Sequence, residues 1–372
     1  MLSKPINLVL VYIVTTFNLA ILASPLLVLV LPFVEFHNHS LTIEQDILWK
    51  IRIIPFFLLF ITSFLMLVYL MLDFLFGFSS RAALKGCARY EKIKDYDFLS
   101  EIFSQIKNKF DDKGVNLYIK NSDEINAFAV GSIGSKSIVL TRGLIDHYLV
   151  TCKDPKDFLY SIRSIIGHEM SHLINKDFLP TFLIITNQKV TNFISKILHI
   201  FFKFIVRIIV NLPYGGRSAG ATLWKGYLVM NFFVNLFNRF AVYNIYEFLR
   251  RFISRSVEYR CDNQSAKAFG GKNMVLALSH LGKDSYFTLF STHPRNSARI
   301  KKVKDVSISD QVIKPRIIDS VSNCFSLMFL VAVCIYFAKE SGVDLMVLDA
   351  IRNHEALYRK LSMLWNLLKK IY

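Results

Sequence analysis

Cysteine is scarce in this chain of 372 residues, and the few cysteines are scattered. They are Cys87, Cys152, Cys261, Cys324 and Cys334. None belongs to a CxxC pair, and an odd, dispersed set of this kind argues against a disulfide framework. We therefore expect the functional part of the chain to lie in a reducing compartment.

Acidic residues are also few, 28 against 45 lysines and arginines, which gives a formal net charge of +17. No nucleic-acid-binding motif accompanies this charge, so nucleic acid is not an expected partner. Hydrophobic residues make up 53% of the chain, and the mean hydropathy is +0.38. This composition indicates a membrane protein with a polar portion, in which basic residues gather in cytoplasmic loops and near anionic lipid.

Charge is almost absent from two long stretches near the N-terminus. Residues 7–34 carry none, and residues 53–78 carry only Asp73. Each stretch exceeds the roughly 20 residues that a helix needs to span a bilayer, so the two predict a transmembrane hairpin with a polar loop over residues 35–50. Basic residues cluster over 81–94, which places the following chain in the cytoplasm by the positive-inside rule.

Local patterns after this hairpin predict a small α+β region. Apolar spacing indicates a helix over 96–109, and alternation indicates strands over 115–119 and 138–141, with a possible edge strand at 127–130. Further apolar stretches follow at about 182–212, 223–240, 321–338 and 345–371. We interpret the first pair as a membrane-associated hairpin, the third stretch as a short span or core helix, and the last as a packing or membrane-surface helix.

The sequence from His168 to His172 reads His-Glu-Met-Ser-His, the pattern HExxH, and a run at helical spacing precedes it. Two histidines four residues apart lie on one helix face, where both imidazoles can reach one metal ion. Glu169 is then placed to take a proton from a metal-bound water. The alternative is a pair of surface or core histidines with no ligand.

A catalytic zinc needs a third protein ligand, which is usually a histidine or a carboxylate. No HxxGxxH continuation follows His172, and the best candidate is Glu258 in Ser-Val-Glu-Tyr-Arg-Cys-Asp. Asp262 lies four residues later, so a ligand and a carboxylate that orients a ligand could share one helix face. A solvated helix carboxylate remains the other interpretation of Glu258.

At this point the chain resembles the HtpX-like membrane zinc metalloproteases, relatives of the CAAX prenyl proteases, over about residues 73–304. Four motifs in order carry the resemblance: Asn126-Ala127-Phe128-Ala129, the HExxH stretch, Glu258-Tyr259-Arg260-Cys261-Asp262, and Thr292-His293-Pro294 with Arg299-Ile300. Cys261 departs from the alanine more common in the family, and Arg295 replaces a second proline.

The resemblance implies a gluzincin-type site with one Zn²⁺ per chain, bound by His168, His172 and Glu258, and with Glu169 as the general base. It further implies that Asn126, Ala127 and Phe128 line the substrate cleft and that Asp262 orients a ligand histidine. His293 is implied to stabilise an oxyanion, and Arg299 to position that loop.

The implied fold is a mostly α membrane protein with an α+β zincin-type metalloprotease domain, a small sheet, a catalytic HExxH helix and transmembrane helices. We expect a transmembrane hairpin over 1–80, a protease domain over 81–310 interrupted by a membrane-associated hairpin at about 180–245, and an apolar segment with an amphipathic tail helix over 311–372. The role of that last segment is open.

The leading hypothesis is an endopeptidase that cleaves membrane or misfolded proteins in quality control, integral to a bacterial inner membrane, with its active site on the cytoplasmic side. Its expected partners are polypeptide substrates and the lipid bilayer, and the oligomeric state is not indicated. A CAAX prenyl-type protease, a non-catalytic scaffold and a transporter are the alternatives. The intact HExxH argues against a scaffold.

Overall fold

The computed structural model describes residues 9–19, 34–37, 40–43, 45–132, 135–211, 216–237, 240, 243–281 and 294–353. The chain divides into two compact units. The first unit contains residues 68–186 and 243–327 together with the N-terminal residues up to Val11, and the second contains Tyr12–Leu67, Asn187–Val242 and Met328–Tyr372. The four-stranded sheet and the candidate site both lie in the first unit.

The structure is mostly helical. Its helices include α1 (Val9–Leu19), α2 (Gln45–Phe76), α3 (Phe78–Ala83), α4 (Phe98–Lys109), α5 (Arg142–Thr151), α6 (Pro155–Ile174), α7 (Phe178–Val210), α8 (Gly216–Phe237), α9 (Tyr243–Phe269), α10 (Gly271–His280), α11 (Asn296–Val303) and α12 (Ile317–Glu340). The strands are β1 (Val34–His37), β2 (Ser40–Ile43), β3 (Cys87–Arg89), β4 (Val115–Lys120), β5 (Ala127–Ser132) and β6 (Ser135–Thr141).

Four strands of the first unit form a mixed sheet in the order β3-β4-β6-β5. The pair β4 and β6 is parallel, and the other two pairs are antiparallel. Alternate residues of β4 (Val115, Leu117 and Ile119) are buried, because successive side chains of a strand point to opposite faces. The three predicted strands are confirmed, and β5 is an edge strand of this sheet.

The helix α6 runs through the core of the first unit. Pro155 stands at its first position, where the missing N–H costs no hydrogen bond, and the side chain of Asp154 accepts from the backbone N–H of Lys156 at 2.9 Å. Ile162, Ile166 and Met170 are fully buried in the main apolar cluster. The N-terminal cap and this buried face explain why the HExxH stretch forms a helix.

The second unit is built from helical segments with polar side chains buried between them. Thr15 donates to the side-chain oxygen of Asn187 at 2.7 Å, and the amide nitrogen of Asn187 lies 3.3 Å from the sulfur of Met66. Residues 34–37 and 40–43 correct an expectation, because they form the antiparallel strand pair β1 and β2 in the region for which the sequence predicts a polar loop. Of the predicted span over residues 7–34, residues 7–8 and 20–33 lie outside the described residues.

Two helices among the described residues are long and apolar enough to cross a membrane, Phe56–Phe76 and Ile317–Glu340. Only 33% and 28% of their most apolar windows are buried, which is low for the core helices of a water-soluble protein.

The four basic residues of α7 (Lys189, Lys196, Lys203 and Arg207) are exposed.

Candidate metal centre

Three side chains from two helices converge in the first unit. Nε2 of His168 and Nε2 of His172, both on α6, are 3.1 Å apart. The carboxylate of Glu258 on α9 approaches them at 3.4 Å from His168 Nε2 and 3.6 Å from His172 Nε2. His168 and Glu258 are almost completely buried, with 5% and 3% of their surfaces exposed. A group of this kind can hold a metal ion.

The spacing of these donor atoms fits zinc. Zinc binds imidazole nitrogen and carboxylate oxygen at about 2.0–2.2 Å in a tetrahedron, which sets neighbouring donors about 3.3–3.6 Å apart. The observed separations of 3.1, 3.4 and 3.6 Å are close to this range. Three protein donors also leave a fourth position open, as catalytic zinc sites do.

A buried carboxylate and guanidinium support the first histidine. Oδ1 of Asp262 lies 2.8 Å from Nδ1 of His168, so Nε2 is the nitrogen directed at the centre. Arg299 on α11 donates two hydrogen bonds of 2.7 Å to the same carboxylate. Burial alone raises the pKa of Asp262, but the bonds from Arg299 and His168 outweigh it and lower that pKa. Asp262 therefore remains an anion that can orient the imidazole.

The same carboxylates favour positive charge at the centre. Burial alone lowers the pKa of His168, but Asp262 and Glu258 outweigh burial and raise that pKa to about 10. The potential that favours a protonated imidazole in the bare protein is the potential that attracts a divalent cation.

The turn that ends α6 supplies a partner for the second histidine. Lys176 has φ 53°, and the backbone N–H groups of Lys176 and Asp177 donate back to the carbonyls of Leu173 and His172 at 3.1 Å each. These two bonds around a left-handed residue form a Schellman motif. The motif returns Oδ2 of Asp177 to within 3.0 Å of Nδ1 of His172.

A second group near His172 is a poorer metal site. Nδ1 of His172, a carboxylate oxygen of Asp177 and the sulfur of Cys261 lie within 4.8 Å of one another. The guanidinium of Arg260 donates to the same Asp177 oxygen and lies 3.5 Å from the Cys261 sulfur. A fixed cation at this distance opposes a second one. The group of His168, His172 and Glu258 is therefore the better candidate.

A cleft of about 600 Å³ opens beside the three donors. Glu169, His172 and Glu258 line it together with the whole of β5. Most of its remaining wall is apolar and includes Leu70, Phe74, Phe178 and Phe182. A metal ion at the donors would therefore face a groove whose side is the edge of the sheet.

The sequence profile of peptidase family M48 matches residues 99–307. The chain belongs to peptidase family M48. This segment contains α6, the Glu258 region of α9, the edge strand and Arg299, so the matched region and the candidate site coincide.

Two M48 relatives illustrate the range of similarity. A protease HtpX homolog of Neisseria meningitidis serogroup B strain MC58 is 29% identical over 205 residues, which cover 50% of this chain and 65% of that protein. Protease HtpX of Actinobacillus pleuropneumoniae serotype 5b is 26% identical over 167 residues, covering 45% and 51%. The chain thus spans between half and two thirds of the length of these relatives.

Among solved structures, the crystal structure of S. mikatae Ste24p matches with 17% identity and a TM-score of 0.36, over 70% of this chain and 58% of that one.

The other predicted residues of this M48 chain fall in distinct places. Asn126 precedes β5, and its backbone N–H donates to Thr141 Oγ1 at 3.0 Å. Asn126, Ala127 and Phe128 all line the cleft. Arg299 contacts Asp262 directly and also lies 3.4 Å from Glu258. His293 lies outside the described residues, so its predicted role in stabilising an oxyanion stays a prediction.

Sequence reasoning missed two charged residues at the centre, Asp177 and Arg260. Asp177 reaches His172 only through the left-handed turn at Lys176, and no spacing rule predicts that turn with lysine in the glycine position. Arg260 is one step from Cys261 on α9. Its burial beside the carboxylates of Asp177 and Asp319 depends on tertiary packing. Its position as a charged residue between Glu258 and Asp262 nevertheless indicated a residue of the site.

Proposed function

We propose that the chain is a membrane-bound, zinc-dependent endopeptidase that hydrolyses peptide bonds of membrane or misfolded proteins. The observation that carries the proposal is the convergence of His168, His172 and Glu258 beside a cleft that Glu169 also lines. Membership of a peptidase family and similarity to HtpX proteases support the same reaction.

The proposed ligands are His168, His172 and Glu258, with one Zn²⁺ per chain. When bound, zinc lowers the pKa of a coordinated water and polarises a carbonyl. Glu169 takes a proton from the attacking water and later gives it to the leaving amine. Asp262 and Asp177 fix the two imidazoles so that each directs Nε2 into the centre.

The edge strand β5 is the proposed substrate platform. An extended peptide can add to an unpaired strand edge through main-chain hydrogen bonds, which bind it without regard to its side chains. Because Asn126 pairs with Thr141 through its carbonyl, alternation directs the backbone groups of Ala127, Ala129 and Gly131 away from β6. The apolar cleft wall then suits apolar side chains, as membrane segments and misfolded chains expose.

The proposed location is a bacterial inner membrane with the active site on the cytoplasmic side. The two apolar helices Phe56–Phe76 and Ile317–Glu340 support membrane integration. The basic residues that follow α2, including Arg81, Lys85 and Arg89, support the orientation by the positive-inside rule. Labelling of a cysteine introduced in this basic stretch, in intact and in permeabilised cells, tests it: reagent access in intact cells would place the site outside.

The central test compares detergent-purified wild type with Glu169→Gln for zinc content and casein cleavage, with chelation and zinc add-back. We expect equal zinc, cleavage in wild type that chelation removes and zinc restores, and a loss of about 10²–10⁴-fold in Glu169→Gln. Glu101→Gln, which changes an exposed glutamate on α4, is the matched control. Cleavage by Glu169→Gln at the wild-type rate would refute the general-base assignment.

A further inference from the structure

The C-terminal helix α12 lies beyond the region that matches family M48, yet its first turn reaches the candidate metal centre. Asp319, the acidic residue of that turn, accepts a hydrogen bond of 2.9 Å from Nη1 of Arg260. The side chains of both residues are largely buried. The Coulomb attraction within an ion pair removed from water is stronger than that within a surface pair, because the surroundings screen the charges less.

Arg260 connects Asp319 to a proposed zinc ligand. Its other terminal nitrogen, Nη2, donates to Oδ2 of Asp177, and that same oxygen lies 3.0 Å from Nδ1 of His172. The order of contacts is therefore Asp319, Arg260, Asp177 and His172, with charges that alternate until the imidazole. Asp177 Oδ2 is shared between the guanidinium and the imidazole.

The backbone around Asp319 is also fastened to the end of α6. The backbone N–H of Arg316 donates to Oδ1 of Asn175 at 2.9 Å, and the side chain of Asn323 donates to the Asn175 carbonyl at 3.1 Å. Gln264 on α9 donates to the carbonyl of Lys314 at 3.2 Å. Asn175 is the C-cap residue of α6. The start of α12 is thus held against both helices that carry the proposed ligands.

We propose that Asp319 is a positioning residue for His172, acting through Arg260 and Asp177. This inference rests on the proposed function, since the orientation of His172 matters only if it binds the metal. Asp319 accepts the hydrogen bond from Nη1 of Arg260, so only Nη2 donates to Asp177 Oδ2. That oxygen can then also contact Nδ1 of His172. Without Asp319, Asp177 is the remaining partner in this order of contacts, and Arg260 competes with the imidazole for its oxygen.

The consequence is that α12 contributes to the catalytic site as well as to the apolar part of the chain. Loss of a group that directly orients a metal ligand lowers metal affinity by about 10–100-fold, and Asp319 acts two contacts beyond Asp177, the group that touches His172. We therefore expect an effect of about tenfold on zinc dissociation. The maximal rate should fall, while KM stays near the wild-type value, because Asp319 is not among the residues that line the cleft.

The test measures zinc affinity by competition with a chromophoric chelator, and kcat and KM on casein, for full-length protein in detergent. Asp319→Asn keeps shape and removes charge, and Arg260→Gln removes the connection. We expect about tenfold weaker zinc binding in Asp319→Asn, and a double variant no worse than Arg260→Gln alone, because both act through one chain of contacts. Asp310→Asn changes an exposed aspartate nine residues earlier in the sequence; it is the control and should bind zinc like wild type.

Zinc affinity of Asp319→Asn within twofold of wild type, with wild type active and zinc-bound, would overturn this inference alone. Failure of wild type to bind zinc would instead overturn the proposed function beneath it. If Asp319→Asn does not fold, Asp319→Glu replaces it, because glutamate keeps the charge but displaces the carboxylate by one methylene. Weaker zinc binding at unchanged KM in Asp319→Glu supports the positioning role, and wild-type affinity contradicts it.

Discussion

Oδ1 of Asp262 lies 2.8 Å from Nδ1 of His168, although the two residues belong to different helices, α9 and α6. This contact fixes the ring of His168 and leaves Nε2 for the centre formed with His172 and Glu258. Because Glu258 and Asp262 are one helical turn apart, α9 supplies both a proposed ligand and the group that orients another.

Replacement of Asp262 by alanine should weaken zinc binding strongly. The imidazole of His168 loses its orienting partner, and mutation of such partners typically costs 10–100-fold in metal affinity. Chelator competition measures the effect. Asp305→Ala, at an exposed position paired only loosely with Lys304 at 3.8 Å, is the control and should leave affinity unchanged. Wild-type affinity in Asp262→Ala would mean that His168 is oriented by another group.

Gly167 sets how closely α9 approaches α6. A Cβ on this residue would lie 2.8 Å from the ring of Phe269 and 2.9 Å from Oγ of Ser265, both on α9. Gly167→Ala should therefore push the two helices apart, move Glu258 away from His168 and His172, and reduce zinc affinity and melting temperature together. Overpacking of this kind typically costs about 1–3 kcal/mol.

Gly226→Ala is the matched control for this prediction. Gly226 lies in the helix α8, and a Cβ there meets no other atom within 4 Å. Alanine in place of a helical glycine should leave stability unchanged or raise it by about 0.5–1 kcal/mol. If Gly167→Ala behaves like Gly226→Ala, close packing of the two helices is not what sets the geometry of the centre.

Removal of Arg299 should destabilise the fold as well as the site. Its two hydrogen bonds of 2.7 Å partner the buried carboxylate of Asp262. Breaking a buried ion pair by deleting one member typically costs about 3–5 kcal/mol, so Arg299→Ala should melt at a much lower temperature than wild type. Arg142→Ala, which removes an exposed pair with Asp123, should melt close to wild type. Equal melting of the two variants would contradict this.

Proline at position 129 tests the role of β5 as a substrate platform. The backbone N–H of Ala129 points away from β6, so Ala129→Pro removes an edge donor without removing a hydrogen bond of the sheet. One main-chain hydrogen bond contributes about 0.5–1.5 kcal/mol, which corresponds to about a two- to tenfold lower kcat/KM. Zinc content should be unchanged. Unaltered kcat/KM would place the substrate elsewhere in the cleft.

Much of the fold follows from local patterns. Alternation in Val115–Lys120 predicts β4, and helical spacing predicts α4 and α6, because each element buries one face in a single core. The β1–β2 hairpin was missed because each strand has only four residues, too few for alternation to stand out from a polar loop. Its connection also carries no glycine turn signal.

The residues of the candidate site likewise fall into those that local sequence patterns predict and those that they do not. His168, Glu169 and His172 follow from spacing on one helix, whereas 85 residues separate Glu258 from His172. Residue chemistry made Glu258 the best candidate for the third ligand, and the family resemblance strengthened that choice over a solvated carboxylate. The contacts of Asp177 and Asp319 could not be predicted, because they depend on a left-handed turn and on the packing of α12 against the site. Neither feature leaves a periodic signal in the sequence.

X-ray absorption at the zinc edge, on detergent-purified wild type and Cys261→Ser, tests the assignment of the ligands most directly. We predict one zinc per chain with only nitrogen and oxygen neighbours at about 2.0–2.2 Å, and the same spectrum for both proteins. A sulfur neighbour at about 2.3 Å that disappears in Cys261→Ser would contradict the assignment, because it would place the metal at His172, Asp177 and Cys261.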